Sequence, residues 1–230
     1  MGTDLNDDLL DIHASGAALV RILYRELVTV VLLSLAWCLA VLPVVTIGGA
    51  TLALCETTTR VITDRSEERL LGEEDRIRAF AGSFRQYVYQ GLPLSVLMIA
   101  LILGVWLHAH IYALSGQWIF SASTLVGIYF LVIGTAWVFR AASLLVRMPP
   151  EEHPGTFQAF RNGAELALEY PHYTVLQLLT VGTVFVLTSL KPVAVPLLLP
   201  STVAAIEVIA FEELVDEGAA DIKQSYTKIL

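Results

Sequence analysis

The stretch LPVVTIGGATLALCE, Leu42 to Glu56, decides the fold. A proline, a diglycine and a final carboxylate break into an apolar run that carries no formal charge from Leu27 to Cys55. As one helix those 29 residues would be about 43 Å long against about 30 Å of hydrocarbon, too long without heavy tilt. Pro43 removes a backbone donor, and Gly48 with Gly49 offers the dihedral freedom of a tight turn. The spacing predicts a reversal near Val45–Gly49, after which Gly48 to about Asp64 descends as a second span.

Outward from this stretch, the chain reads as membrane-embedded. Of its 230 residues 56% are hydrophobic and only 16% charged, with a mean hydropathy of +0.68, well beyond the globular norm. Leu27–Thr46, Val88–Leu107, Trp118–Phe139 and Tyr173–Leu190 are each apolar and long enough to span, as is Val193–Phe211 with Glu207 inside it. The expected fold is an all-α membrane bundle of six transmembrane helices, with five as the alternative, and amphipathic interfacial helices ahead of the spans. Three regions follow: an acidic N-terminal segment, 1–26, with an amphipathic helix; a single transmembrane domain, 27–214, with charged cytoplasmic loops at 65–85 and 140–172; and a cytoplasmic tail, 215–230.

The six-span reading places 13 of the 14 Lys and Arg residues on the inner side, leaving Lys191 outside, whereas five spans would leave 11 inside. The expected location is therefore the cell membrane, multi-pass, with both termini cytoplasmic. The acidic N-terminus carries no secretory signal pattern. A net charge of −8 argues against a nucleic-acid partner. The acid excess is also compatible with a high-salt cytoplasm. Cys38 and Cys55 lie in apolar segments and read as small buried hydrophobes, not as a disulfide framework.

Internal similarity suggests tandem hairpins. TLALCE (Thr51–Glu56) and TVAAIE (Thr202–Glu207) share Thr, Ala and a terminal Glu at equal spacing. RAFAGSFRQYVYQGLPLSVL (Arg78–Leu97) and QAFRNGAELALEYPHYTVL (Gln158–Leu176) each run from Ala-Phe through an amphipathic stretch and a proline into an apolar span. The expected unit, repeated three times, is an inner-surface helix followed by an outward and a returning span, His13–Glu26 supplying the first surface helix.

Glu56 and Arg60 would then lie mid-depth with i,i+4 spacing, where charge is costly enough to predict burial of the pair. Together with Glu207 they could line a polar cavity or substrate path, or simply lock helices by hydrogen bonds. His108 and His110 form an HxH at a span end but lack a third ligand, so they read as interfacial anchors and no metal or cofactor is expected. Gly127 and Gly134 could serve close helix contacts within the chain or between copies, which leaves the oligomeric state open. No nucleotide-binding, hydrolase or metalloprotease motif occurs, and no catalytic residue is proposed.

The segment LPVVTIGGATLAL (Leu42–Leu54), with Leu42, Pro43, Thr46, Gly48, Gly49 and Thr51, resembles the signature that ends the first span in the YesL family of small integral membrane proteins. FAGSFRQYVYQG (Phe80–Gly91) is similar to that family's segment ahead of the next span, with Tyr87 where Asn is common, and AFRNGAELALEYPHYT to its third cytoplasmic segment. The resemblance implies association with carbohydrate ABC uptake systems and no established catalytic residues. The expected function is an accessory or regulatory partner of such a transporter, or of a membrane sensor, docked through the charged inner surface. The alternatives are a small-solute transporter using Glu56, Arg60 and Glu207, and a membrane enzyme without a recognisable motif.

Overall fold

The computed structural model describes residues 20–21, 24–63, 72–147 and 155–215, and within them it is helical throughout, with no strand. The expected acidic N-terminal segment, most of the His13–Glu26 helix, the C-terminal tail and parts of both inner loops lie outside the described residues. The described helices are α1 (Leu27–Val41), α2 (Ile47–Thr63), α3 (Glu73–Tyr87), α4 (Leu92–Ser115), α5 (Trp118–Arg147), α6 (Thr156–Glu169), α7 (Pro171–Ser189) and α8 (Ala194–Val215).

Among the described residues, three helices are long and apolar enough to cross a membrane: α4, with 24 residues, α5, with 30, and the 18 residues Ala194–Phe211 of α8. A fourth candidate is the pair α6 and α7, bent by 101° at their junction. The apolar helix α1 has 15 residues, about 22 Å, short of the hydrocarbon thickness.

The chain does reverse after α1, but earlier than the diglycine. The break is Leu42–Thr46, held by Val44 N–H to the Val41 carbonyl at 2.7 Å and by the Thr46 hydroxyl to the Ala40 carbonyl at 2.5 Å. Val44, not a glycine, takes the positive φ of 58°. Across the turn Trp37 Nε1 donates to Thr51 Oγ1 at 3.4 Å, joining residues equally far from it on α1 and α2.

Gly48 and Gly49 therefore do different work from that expected of them: they form the first turn of α2 and let its backbone touch the joint between α3 and α4. A Cβ on Gly48 would lie 2.0 Å from the Gly91 carbonyl oxygen, and one on Gly91 would lie 2.1 Å from the Gly49 nitrogen. Gly48 N–H donates to Ser95 Oγ at 2.9 Å, and that hydroxyl donates to the Gly91 carbonyl at 3.1 Å. One of the free N–H groups at the start of α2 is satisfied in this way.

So seated, α2 becomes the central helix, in contact with α1, α3, α4, α5 and α8. Ala50, Leu52, Ala53, Leu54 and Cys55 are fully buried. The hairpin of α4 and α5 is the opposite case. Its outer half presents Leu103, Leu114, Leu125 and Phe130 outward, the surface expected where lipid replaces protein. Gly127 and Gly134 face Val105 and Leu101 of α4, so these small residues serve a contact inside the chain. The start of α4, with Leu94, Ser95 and Met98, and the end of α5, Val138 to Leu145, turn into the core.

Helix α8 docks antiparallel on α1. Ser34 Oγ donates to Ser201 Oγ at 2.9 Å, and the Cys38 thiol lies 3.5 Å from the Pro196 carbonyl oxygen. Pro200, inside α8, has no N–H with which to bond that carbonyl, so the thiol finds an open acceptor.

The amphipathic α3 carries Glu73, Glu74 and Asp75 in its first turn and Arg85 in its last, which suits the helix dipole. It turns Phe80, Ser83 and Tyr87 inward. Arg76, one turn before Phe80 on that same stripe, reaches Glu26 at 2.6 Å. The element order amphipathic helix, apolar helix, second long helix occurs twice, as α3–α4–α5 and as α6–α7–α8.

Candidate functional site

The candidate residues fall into two places. On α2, Arg60 is paired with Glu56 through Nη2 and Oε1 within one turn. The pair is not buried as a unit: the Glu56 side chain is 10% exposed and that of Arg60 54%. A long flexible side chain one turn nearer the end of α2 reaches the surface with its charged head while its stem stays packed. The Thr51, Thr57 and Thr59 hydroxyls bond back to the carbonyls of Ile47, Ala53 and Cys55, each at 2.8 Å. Such bonds satisfy hydroxyls inside a helix without a partner helix. Glu56 Oε2 has no hydrogen-bond partner among the described residues. Next to this pair, burial pushes the Tyr87 phenol above its ordinary range, and the Glu56 charge adds to the rise while Arg60 opposes it.

Glu207 is elsewhere. Its partner is Arg140 of α5, with Nε donating to Oε1 at 3.0 Å and side chains 5% and 1% exposed. Gln177 of α7 closes the arrangement: its carbonyl oxygen accepts from Arg140 Nη2, and its amide donates to Glu207 Oε2. The result is a ring of three hydrogen bonds linking α5, α7 and α8. Breaking a buried pair of this kind by removing one partner costs about 3–5 kcal/mol, because the other charge is left uncompensated. Arg140 Nη1 is buried without a hydrogen-bond partner among the described residues, and an unmet donor costs about 1–3 kcal/mol. Arg147, two turns further along α5, donates to the Val208 carbonyl at 3.4 Å and lies 4.5 Å from the centre of the Phe211 ring.

Arg140, Gln177, Glu26 and Arg76 are the residues that sequence reasoning passed over. For Arg140 a signal existed. TAWVFR (Thr135–Arg140) has the spacing of TLALCE and TVAAIE, with arginine in the place of the glutamate. Its Thr135 hydroxyl bonds back to the Leu131 carbonyl at 2.7 Å, as Thr51 does to Ile47 at 2.8 Å. Gln177 could have been marked as a lone amide in an apolar span, where polar side chains tend to bond across helices. Nothing in the local pattern joins Glu26 to Arg76.

Above the ring lies a cavity of about 280 Å³ between α5, α6 and α7. Ile133, Ala136 and Trp137 form one wall, Gly163, Ala164 and Ala167 another, and Arg140, Thr174 and Gln177 supply the polar part. Trp137 Nε1 donates to the Phe160 carbonyl at 2.8 Å and its ring meets Phe160 edge-on, which fixes α6 against α5. Glu56, Arg60 and Glu207 are not among the residues lining this space.

The signature residues Leu42, Pro43, Thr46, Gly48, Gly49 and Thr51 belong to the turn and to the start of α2, where they position Glu56, and they do not line this cavity. His108 and His110 point apart: the first lies 2.7 Å from the Gly104 carbonyl through Nδ1, the second stacks on Trp106. Among the described residues no three His, Cys, Asp or Glu side chains come together as a metal site would require. Comparison with family models, curated proteins and solved structures returned no match to this chain.

Proposed function

We propose that this chain is a six-span protein of the cell membrane with both termini cytoplasmic, acting as an accessory or regulatory partner of a membrane transporter. The observation that carries this reading is the closed ring of Arg140, Gln177 and Glu207. Intramembrane charge here is spent on tying three helices together, which suits a rigid scaffold more than a path through which a solute moves. The alternating helix directions support six spans. Helix α1 runs against α8 and α4 against α5, as the paired contacts Ser34–Ser201 with Cys38–Pro196 and Gly127–Val105 with Gly134–Leu101 require, and the turn bridged by Trp37 and Thr51 sends α2 back beside α1. The twice-repeated element order supports the tandem-hairpin plan, α1 and α2 being the remaining hairpin. A carbohydrate ABC uptake system as the partner follows from the YesL resemblance alone.

Affinity capture in mild detergent, with copurifying proteins identified by mass spectrometry, tests the accessory role. A transporter or sensor subunit recovered in near-stoichiometric amount is the expected result, and bait alone would reject it. Labelling of single cysteines placed near each terminus tests the topology, and opposite sidedness would reject it.

A transport reading draws on one observation: Glu56 Oε2 is buried without a partner while its Arg60 is half exposed. Solute uptake in proteoliposomes that is abolished by Glu56→Gln without loss of folding would favour transport over the scaffold.

A further inference from the structure

The cavity between α5, α6 and α7 is framed by contacts that hold its walls in place. Trp137 of α5 bonds to the Phe160 carbonyl at 2.8 Å, which fixes the start of α6, and the bond from Arg140 to Gln177 fixes α7. At Gly163 the helices α5 and α6 touch, since a Cβ there would lie 3.4 Å from Trp137 Nε1. Beyond it the short side chains of Ala164 and Ala167 face Ile133, Ala136 and Leu178 across about 280 Å³. The polar side chains of the lining are already engaged. Arg140 gives Nε to Glu207 and Nη2 to Gln177, and its Nη1 is buried. Gln177 donates its amide to Glu207, and Thr174 bonds back to the Tyr170 carbonyl at 3.3 Å. The charges of α6, Arg161 and Glu165, pair with each other at 2.8 Å and stay out of the lining. Leu168 and Trp137 line the cavity and are also exposed, so it meets the surface through apolar side chains.

We infer that this cavity binds a single uncharged hydrocarbon chain, either the tail of a membrane lipid or a free apolar molecule of similar size. Pockets for polar ligands keep a few donors or acceptors unengaged to receive them. Here each polar side chain of the lining has its partner inside the protein, so a charged or hydrogen-bonding group would lose its hydration without return. Water is no better served. It needs two to four polar partners, and apolar cavities of roughly half this volume stay dry and take up a benzene-sized molecule. A hydrocarbon chain, by contrast, gains dispersion contact with all three helices. The site depends on neither the topology nor the partner proposed above.

The test uses the full chain and two probes with a photoreactive diazirine on the alkyl chain: decanol in detergent solution, and phosphatidylcholine in nanodiscs. Labelling is mapped by mass spectrometry, with the exposed Leu125, Tyr129 and Phe130 of α5 as the reference for chance contact. The expected result is labelling at 133–137 and 164–168 that saturates as the probe is raised, while the reference rises in proportion. Ala167→Phe and Ala136→Leu, which fill the cavity from opposite walls, should each cut the saturable labelling about tenfold and leave the reference unchanged. Decanol should also raise the thermal midpoint of the parent and not that of the filled variants. Saturable labelling by phosphatidylcholine makes the occupant a lipid tail, and labelling by decanol alone makes it a free apolar molecule; either supports the site. Labelling that saturates with neither probe, or that is undiminished in a folded filled variant, overturns it. If neither variant folds, saturation in the parent decides.

Discussion

TLALCE on α2 and TVAAIE on α8 place the same carboxylate at the same point of the same pattern, yet the two glutamates live differently. Glu56 finds its arginine four residues along its own helix, and that arginine is half exposed. Glu207 finds its arginine on another helix, buried with it, and shares it with a glutamine on a third. The difference shows that spacing selects a depth and a face, whereas the neighbouring helices decide whether the charge is a local ornament or a tie across the bundle.

The largest effect should come from breaking the tie. Glu207→Ala or Arg140→Ala should lose about 3–5 kcal/mol of stability, read as a fall in the thermal midpoint in detergent. Replacing both, Arg140→Met with Glu207→Gln, should recover most of that loss, since no charge is then stranded. If the single variants unfold no earlier than the parent, the ring does not bear the load assigned to it.

Next comes the seat of α2, which gives Glu56 its position. Gly48→Ala would push a methyl group to within 2.0 Å of the Gly91 carbonyl oxygen and should cost about 1–3 kcal/mol through overpacking. Gly82→Ala, where a Cβ meets nothing within 4 Å, is the matched control and should leave the midpoint where it was.

Breaking the local pair should matter least to stability. Arg60→Ala should cost about 1 kcal/mol, the upper end for a pair with one solvated partner, because the half-exposed guanidinium it removes leaves Glu56 buried without it. A loss as large as that of Arg140→Ala would erase the contrast between the two glutamates. A finer probe is Tyr87, whose phenol is raised above 10.0 by burial and by Glu56. Folding then favours the neutral phenol, so its contribution is full below the unfolded value of about 10 and is lost as pH rises through the folded one. Glu56→Gln should lower the pH at which Tyr87 absorbance titrates.

Much of the architecture was legible from residues alone. The apolar runs marked the helices, the proline and diglycine of Leu42–Glu56 marked a reversal, and the Ala-Phe segments marked α3 and α6. Several boundaries moved: α1 stops at Val41, α4 starts at Leu92 after Gly91 and continues to Ser115, where Gly116 adopts a left-handed cap, α5 runs past Phe139 to Arg147, and α8 runs past Phe211 to Val215. The diglycine was read as a turn because glycine's freedom is visible in sequence, whereas its second use, close approach of two backbones, depends on Gly91, which lies more than 40 residues away.

What composition and periodicity determined was that this chain forms apolar helices, where its polar punctuation falls, and which glutamates lie within them, because helix formation and partition into lipid depend on local runs of side chains. Which charge meets which was left to the tertiary structure. Glu207, Arg140 and Gln177 are brought together only by the packing of α8, α5 and α7, and contacts between residues dozens of positions apart leave no mark on the spacing of any one helix.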